Sequence, residues 1–251
     1  MRIGLLTTIW GRPELTELVI NYYNDLDVPG VDLLCVGVYS NDDDNPSFAN
    51  STIYDRWHFE EYPNQPLSDK WNRGMLAMRD CDVDAVLIAG SDDLISVKYI
   101  QACAYCVKRA KQYIYLPGCY FLDLETMRCM WAWARRLGLG RCLSRSLLNE
   151  LEWQPWPMGV KEGLDGAMTE KMRNLFPDFV NLRFARDQGY ATLDIKSGHN
   201  MWGYDFVKDN LDCEEVEPVQ LLEEYFPSVS TQLLNWNGSR TITGGRQVAT
   251  G

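Results

Sequence analysis

Mostly apolar residues follow one another in three short stretches near the start of the chain. These stretches are Ile3 to Thr8, Leu33 to Tyr39 and Asp84 to Gly90. Runs of this length, bounded by polar or turn-forming residues, are typical of strands that are buried on both faces of a parallel sheet. The pattern therefore predicts a central sheet that contains these three strands.

A different spacing separates the predicted strands. After Arg12-Pro13-Glu14, apolar side chains recur at the i, i+3, i+4 and i+7 positions of an amphipathic helix, namely Leu15, Leu18, Val19 and Tyr22. Further helices are predicted over residues 67–78, 96–111 and 165–175. Strands that alternate with helices predict an α/β fold with a mostly parallel central sheet.

The remaining segments complete the predicted order of elements. Strands are expected over residues 57–62, 113–120 and 190–195, and residues 126–153 are expected to form two helices separated by Gly138-Leu139-Gly140. We find no internal repeat or linker, so residues 1–243 are expected to form a single domain. Residues 244–251 are small and polar and predict a flexible tail.

Composition narrows the class of protein. The chain has 251 residues, of which 46% are hydrophobic and 12% aromatic, and this supports a sizeable core. No apolar run approaches the ~20 residues that cross a bilayer. The eight cysteines have no framework spacing, and Cys103 and Cys106 fit a buried helix face better than a metal site. A cytoplasmic protein with reduced thiols is therefore expected.

Charge is unevenly distributed along the chain. The formal net charge is −11, yet residues 127–149 carry five arginines and no acid, whereas residues 205–226 carry eight acids and one lysine. The overall charge argues against a large nucleic-acid footprint, but the arginine-rich segment leaves a local phosphate or nucleic-acid surface open.

Two adjacent carboxylates follow the third predicted strand, in Ser91-Asp92-Asp93. Ligand sites in α/β sheets lie at the carboxyl ends of the strands. Carboxylate oxygens there can hold Mg²⁺ or Mn²⁺ beside a diphosphate, and the metal neutralises charge on a leaving group. The alternative interpretation is that the two aspartates cap the next helix or begin a turn.

The order of these pieces resembles the nucleotide-sugar half of a family 2 glycosyltransferase with the GT-A fold. The first strand leads to Arg12-Pro13-Glu14, a polar loop at residues 40–46 follows the second strand, and Ser91-Asp92-Asp93 is similar to the D-x-D signature with Ser in place of the first Asp. The resemblance covers about residues 3–120 and leaves about 121–243 as the acceptor half. It implies a metal-dependent, inverting transfer of a sugar from a nucleotide-diphosphate donor to an acceptor hydroxyl.

The resemblance also implies roles for individual residues. The implied donor-binding residues are Thr8, Trp10, Arg12, Ser40, Asp42, Lys70, Asn72, Asp92 and Lys196. Asp93 and His199 are the implied ligands of Mn²⁺ or Mg²⁺. His58, the other histidine, is expected to be structural.

The acceptor-side base is expected in the second half of the chain. Asp165 precedes a predicted helix in Gly163-Leu164-Asp165-Gly166, where the family's usual Glu-Asp pair is Leu-Asp. A carboxylate at this position would deprotonate the acceptor hydroxyl. The alternative is that Asp165 is only a helix N-cap.

The acceptor itself is suggested by basic and aromatic residues in the second half. Arginines pair with phosphates and tryptophans stack on bases or sugars. The residues concerned are Arg128, Trp131, Trp133, Arg135, Arg136, Arg141, Arg145, Trp153 and Trp156. The compact size and the segments at residues 66–72 and 89–93 resemble small bacteriophage glycosyltransferases. Some of those enzymes modify hydroxymethyl-pyrimidines in DNA, an acceptor that the arginine and tryptophan residues would suit. The alternative is a helix whose tryptophans fill the core and whose arginines are solvated.

Two other function classes fit part of the sequence. A nucleotidylyltransferase also places carboxylates and Mg²⁺ beside a diphosphate on an α/β sheet, but its Gly-rich first loop is represented only by Gly11. A nucleotide-sugar-binding module without catalysis fits the departures from the family pattern at Ser91 and Leu164. The first class predicts pyrophosphate release, and the second predicts donor binding without turnover.

Overall fold

The computed structural model describes residues 1–40, 53–133, 137–175, 179–182, 185–198, 200 and 202–236. Several predictions from the sequence lie outside these residues. They concern Asp42, Arg135, Arg136, His199 and the tail at residues 244–251.

Strands and helices alternate through the first half of the described chain. The strands are β1 Arg2–Thr8, β2 Asp32–Tyr39, β3 Trp57–Glu61, β4 Ala85–Ile88, β5 Asp93–Ile95, β6 Tyr113–Tyr115, β7 Gly118–Asp123, β8 Arg128–Trp133, β9 Cys142–Ser144, β10 Phe179–Asn181, β11 Thr192–Lys196 and β12 Asp212–Val216. The helices are α1 Pro13–Asp25, α2 Leu67–Asp80, α3 Val97–Lys108, α4 Arg145–Glu150, α5 Leu164–Leu175, α6 Ala185–Gln188, α7 Tyr204–Asn210, α8 Pro218–Tyr225 and α9 Pro227–Leu234.

Seven of the described strands form the larger sheet, in the order β10-β6-β9-β4-β1-β2-β3. Strands β1, β2, β3 and β4 run parallel, and β9 is antiparallel to both β4 and β6. The strands predicted at residues 3–8, 33–39 and 84–90 thus lie side by side at its centre. The predicted α/β fold with a mostly parallel central sheet is confirmed.

The larger sheet is covered on both faces. Leu6, Val36 and Val86 point to one face, where α2, α4 and α5 contribute Met75, Leu147 and Met168. The other face carries side chains such as Leu5, Cys35 and Leu87, which pack with residues of α1 and α3. Burial on both faces explains why these strands are continuous apolar runs and do not alternate.

Five of the described strands form a second sheet, in the order β12-β8-β7-β11-β5. Strands β7 and β11 are parallel, and the other neighbouring pairs are antiparallel. Strand β5 begins at Asp93, so the second sheet starts at the second of the two carboxylates that follow β4.

The prediction of helix over residues 126–153 is wrong for most of that segment. Among the described residues of this segment, 128–133 form β8 between β7 and β12, 142–144 form β9, and only 145–150 are helical. A short apolar run does not distinguish a buried strand from a buried helix, because both faces are covered. Strand β8 is paired on both sides, with β7 immediately before it and with β12 about 80 residues further along the chain.

Residues 113–120, predicted as one strand, belong to both sheets. Strand β6 is part of the larger sheet and β7 part of the second, with Leu116 and Pro117 between them. The predicted helices at residues 67–78, 96–111 and 165–175 correspond to α2, α3 and α5. All eight cysteines are free thiols, and Cys103 is buried in the core as expected. Within the described ranges, no helix is both long and apolar enough to span a bilayer.

Candidate active site

The predicted donor site lies at the carboxyl edge of the larger sheet. Because β1, β2 and β4 are parallel, the segments that follow them meet at one edge. These segments contain Trp10 and Arg12 after β1, Ser40 after β2, and Asp92 and Asp93 after β4. The topology therefore brings the predicted loops together.

Asp92 is held by two side chains from distant parts of the sequence. Its Oδ2 accepts a hydrogen bond from the Arg12 guanidinium, and the two groups form an ion pair. The same oxygen accepts a hydrogen bond from Asn200 Nδ2 at 2.6 Å. Arg12 also donates to Ser91 Oγ at 3.3 Å. Arg12 and Asp92 are both largely buried, so this ion pair connects the loop after β1 to the loop after β4.

Asp93 is buried at the start of β5, and its Oδ2 accepts a hydrogen bond from the backbone N–H of Gly90. The following helix α3 is capped by Ser96, whose hydroxyl accepts from the N–H of Tyr99, so the aspartates are not its cap. Burial raises the pKa of Asp93 well above its usual value, and the neighbouring carboxylates of Asp92 and Asp194 raise it further.

Asp194 and Lys196 lie on β11 directly beside Asp93. Asp194 is the cross-strand partner of Asp93, and its Oδ2 accepts from Lys196 Nζ at 2.7 Å. Burial raises the pKa of Asp194, while the Lys196 ammonium opposes this rise. Burial also lowers the pKa of Lys196, but the nearby carboxylates outweigh that effect and the pKa is raised.

Asp194 and Asn200 are functional candidates that sequence reasoning missed. The segment around them drew attention only to Lys196 and His199. A usable signal was present, since Asp194 and Lys196 are two residues apart in a strand and so share one face. Two charged residues on one face of an otherwise apolar buried strand indicate a paired or ligand-binding site.

The carboxylate oxygens at this edge are suitable ligands for a divalent cation. The described ranges contain no group of three or more His, Cys, Asp or Glu side chains that could hold a metal ion. Mg²⁺, however, is commonly held by one or two carboxylates together with water and substrate phosphates. Asp92 and Asp93 supply two carboxylates. Asp194 Oδ1 is a buried oxygen with no hydrogen-bond partner in the described part of the chain.

Lys70 and Asn72 both lie in the core beneath this edge. Lys70 Nζ donates to the carbonyl oxygen of Ile9 at 2.6 Å, to Ser40 Oγ at 3.0 Å and to Asn64 Oδ1 at 3.1 Å. Asn72 Nδ2 donates to the carbonyl oxygen of Trp156 at 2.9 Å. These bonds give both residues a positioning role, and the direct contact with the donor stays a prediction.

The other predicted donor residues differ in exposure. Trp10 is 44% exposed beside Arg12, and Ser40 is buried, where its hydroxyl donates to the carbonyl oxygen of Tyr62 at 2.8 Å. Thr8 ends β1 and is partly buried. Trp202, two residues after Asn200, is 49% exposed, so an exposed indole ring lies two residues from Arg12 and another two residues from Asn200 in sequence.

Asp165 lies on the same side of the larger sheet as the carboxylate pair. The N–H of Gly140 donates to the carbonyl oxygen of Ile88, which places residues 138–141 at the carboxyl end of β4. Asp165 Oδ2 accepts from the N–H of Gly138 at 2.8 Å, so this carboxylate is joined to the same region. It therefore bonds to another segment and does not cap its own helix. Burial raises its pKa, and Arg141 partly opposes the rise.

The described members of the predicted arginine and tryptophan surface do not form one surface. Trp131, Arg141, Trp153 and Trp156 are buried. The Arg141 guanidinium donates to the carbonyl oxygens of Leu137 and Asp165, and to Thr169 Oγ1. Trp131, Trp153 and Trp156 fill the core, as in the alternative interpretation, but they do so from β8 and loops. Trp133, Arg128 and Arg145 remain partly exposed.

His58 lies away from this edge, on β3. Its Nε2 lies 2.7 Å from Glu60 Oε1, and its side chain is 54% exposed. Glu60 also pairs with Arg73, so the histidine belongs to a surface ion-pair cluster. This arrangement agrees with the structural role expected for His58.

Solved structures with the same arrangement of strands and helices are known. TarS 1-349 from S. aureus has a TM-score of 0.53 at 13% sequence identity, covering 92% of this chain and 72% of that chain. The same TarS fragment in complex with UDP has a TM-score of 0.54 at 12% identity, with the same coverage. Its complex with UDP-GlcNAc has a TM-score of 0.50 at 14% identity, covering 92% of this chain and 73% of that chain.

This likeness concerns the fold. No family model matches the chain, and no curated protein sequence matches it significantly. The shared architecture is a GT-A-like fold, and the fold predicted from the sequence is confirmed.

Proposed function

We propose that this protein is a glycosyltransferase that moves a sugar from a nucleotide-diphosphate donor to an acceptor hydroxyl, with inversion at the anomeric carbon. The observation that carries the proposal is the position of Asp92 and Asp93. They lie at the carboxyl edge of a GT-A-like sheet, beside the segments that follow β1 and β11. TarS, which shares this fold, was crystallised with UDP and with UDP-GlcNAc. A UDP-sugar is therefore the first donor to test.

The charges at this edge suit a diphosphate. Arg12 pairs with Asp92, and Lys196 pairs with Asp194. When a nucleotide sugar binds, each of these cations can direct an N–H group toward a phosphate oxygen. Trp10 is exposed next to Arg12 and offers a flat apolar surface to the nucleotide base. These three side chains would orient the donor above the carboxylates.

Mg²⁺ or Mn²⁺ belongs to the proposal as a cofactor. Asp92 and Asp93 would hold the ion, with His199 as a further predicted ligand and Asp194 beside them. When bound, the cation neutralises charge that develops on the leaving diphosphate.

Asp165 is the proposed general base. Its carboxylate lies in a partly buried position, and this burial raises its pKa above the usual aspartate value, as suits a general base. Gly138 restrains it through the backbone N–H. A side chain at residue 138 would collide with the carboxylate, because a Cβ there would lie 2.4 Å from Asp165 Oδ1.

The acceptor is the least constrained part of the proposal. The hydroxymethyl-pyrimidine acceptor in DNA was inferred from arginines and tryptophans that prove to be partly buried. It remains one candidate. A carbohydrate hydroxyl is the second, and an exposed aromatic pair near Asn200, Trp202 and Phe206, offers a platform for either, with ring centroids 5.4 Å apart.

The test is a donor-turnover assay. The full chain is incubated with UDP-GlcNAc and other UDP-sugars, with Mn²⁺, Mg²⁺ or EDTA, and release of UDP is followed with hydroxymethylated DNA, neutral oligosaccharides or no acceptor. We expect metal-dependent UDP release, and we expect Asp93→Asn to lower it by about 100-fold or more. Asn has nearly the shape of a protonated Asp, so the variant should still fold.

Asp212→Asn is the matched control, because Asp212 is an exposed aspartate at the start of β12. Its turnover should equal that of the original protein. Full activity of Asp93→Asn would contradict the assigned site. Release of pyrophosphate from nucleoside triphosphates without use of any nucleotide sugar would contradict the reaction class.

A further inference from the structure

The second sheet has two different faces, and its register assigns residues to each. Directly paired residues of neighbouring strands point to the same face. One row across the sheet contains Glu215, Met130, Phe121, Asp194 and Asp93. The adjacent row, which points to the opposite face, contains Glu214, Trp131, Tyr120, Leu193 and Leu94. Asp93 and Asp194 of the candidate active site therefore lie on the same face of the second sheet.

A groove of about 580 Å³ lies on the face of the second sheet opposite to Asp93 and Asp194. Its floor is formed by Tyr120, Trp131 and Trp133 from the sheet, and its walls include Arg186 from α6 and Glu224 and Tyr225 from α8. The size is within the range of small-molecule sites, about 300–1,000 Å³. None of these side chains has a role in the proposed transfer.

The three aromatic rings form a corner in which Trp133 is open to solvent and Tyr120 and Trp131 are buried. Trp133 is 46% exposed, and its ring lies at 89° to that of Trp131, with ring centroids 5.9 Å apart. Tyr120 packs against the other side of Trp131 at 4.8 Å. Trp131 is buried and Trp133 is held at the end of β8, so an exposed indole face is presented by a rigid element.

The polar side chains that line the groove include a cation, two anions and a neutral amide. Arg186 pairs with Glu214 and lies over the Trp131 ring. Asp187, Gln220 and Glu224 also line the groove, so its lining contains two carboxylates and one guanidinium. This balance disfavours a polyanion such as DNA, whose binding requires cations against its phosphates.

An indole face and planar carboxylate, amide and guanidinium groups are complementary to a pyranose ring. The aromatic face has a negative quadrupole that attracts the weakly polarised C–H groups of a sugar. The planar polar groups can accept from and donate to adjacent hydroxyls. We propose that this groove is a binding site for a neutral oligosaccharide, separate from the donor site and on the opposite face of the second sheet.

Direct binding to the full chain tests the proposal without reference to turnover. Cellohexaose, chitohexaose, maltohexaose and mannohexaose are titrated one at a time, up to about 10 mM, into the protein by isothermal calorimetry, with tryptophan fluorescence as the second readout. We expect at least one of them to bind, and Trp133→Ala to weaken that binding by tenfold or more. The exposed position of Trp133 means that the variant should keep its melting temperature.

Two variants locate the binding. Tyr105→Ala removes another exposed aromatic ring, on α3 and outside the groove, and should bind as the original protein does. Asp93→Asn should also bind normally, even if it has no turnover, so failure of the proposed reaction and failure of this proposal are distinguishable.

Three outcomes would overturn the proposal. They are the absence of binding by all four oligosaccharides, binding that is unchanged in Trp133→Ala, and binding of single-stranded DNA that is lost in the same variant. The last result would assign the groove to nucleic acid in spite of its acidic lining.

Discussion

The two faces of the second sheet differ in what they bury and what they leave open. On one face, charged side chains are buried as a compensated group, with Lys196 beside Asp194 and Asp93, and α7 covers the neighbouring Phe121 and Met130. On the other face, aromatic side chains form the floor of an open groove. The strands are shared, so substitutions on the two faces should act separately unless they disturb the strands themselves.

The largest effect is expected from the buried charge on the first face. Lys196→Met removes the partner of Asp194, whose carboxylate then stays buried without a cation. Breaking a buried pair in this way costs about 3 kcal/mol of unfolding free energy. Urea unfolding measures the loss, and Asp194→Asn in the same chain should restore part of it because the uncompensated charge is removed.

Lys208 provides the control for this comparison. It pairs with Glu215 at 3.0 Å on the same face of the sheet, but both side chains are largely exposed. Lys208→Met should change the unfolding free energy by no more than about 0.5 kcal/mol. Equal losses in Lys208→Met and Lys196→Met would show that burial does not distinguish the two pairs. Oligosaccharide binding should survive in both variants.

A smaller loss, shared by both faces, is expected from Gly118→Ala. A Cβ at residue 118 would lie 2.2 Å from the carbonyl oxygen of Ala132 and 2.9 Å from the Trp131 ring. Strands β7 and β8 must then separate, at a cost of about 2 kcal/mol. Thermal unfolding measures the loss, and donor turnover and oligosaccharide binding should both fall.

Gly166 is the control for Gly118. If the collision of the added Cβ causes the loss of stability in Gly118→Ala, the same substitution at Gly166 should not destabilise the protein. Gly166 lies within α5, and a Cβ there meets no described atom within 4 Å. Gly166→Ala should therefore stabilise the protein, by up to about 1 kcal/mol, through its higher helix propensity. A Gly118→Ala variant that retains full stability and both activities would contradict the packing of β7 against β8.

The smallest effect is a pH dependence confined to turnover. Burial raises the pKa of Asp165, and a general base works only when it is deprotonated. Turnover should therefore fall, as the pH is lowered, at a higher pH than an ordinary aspartate would give. The measurement is kcat/KM against pH, with folding checked at each point.

Asp165→Asn is the comparison for this profile, since it removes the base while keeping the shape of the side chain. It should have little turnover at any pH and a normal melting temperature. An original protein whose kcat/KM stays constant down to the usual aspartate range would contradict the role of Asp165. Oligosaccharide binding, on the other face, should be unaffected by Asp165→Asn.

The parts that could be predicted from the sequence are those in which neighbouring residues determine the structure. Strands β1, β2 and β4 are continuous apolar runs, and Asp92 and Asp93 follow the last of them, so both the sheet and the position of these aspartates at its edge were predictable. Helix α3 begins at a Ser cap and was predictable for the same local reason.

The rest depends on partners that are distant in sequence. Arg141 is buried because the carbonyl oxygens of Leu137 and Asp165 and the hydroxyl of Thr169 satisfy its guanidinium, and no local pattern contains that information. Asn200 reaches Asp92 across 108 residues. Strand β8 is distinguished from a helix by its pairing with β7 and β12, and the pairing with β12 joins residues about 80 positions apart.

Lys70 has a consequence for the entropy of donor binding. Its ammonium group joins the segment after β1, the end of β2 and the segment before α2 through bonds to Ile9, Ser40 and Asn64. The backbone of these three segments, beneath the proposed donor site, is thus already fixed before a ligand arrives, and it would lose less conformational freedom on binding. For these segments that ordering is completed once, when the chain folds.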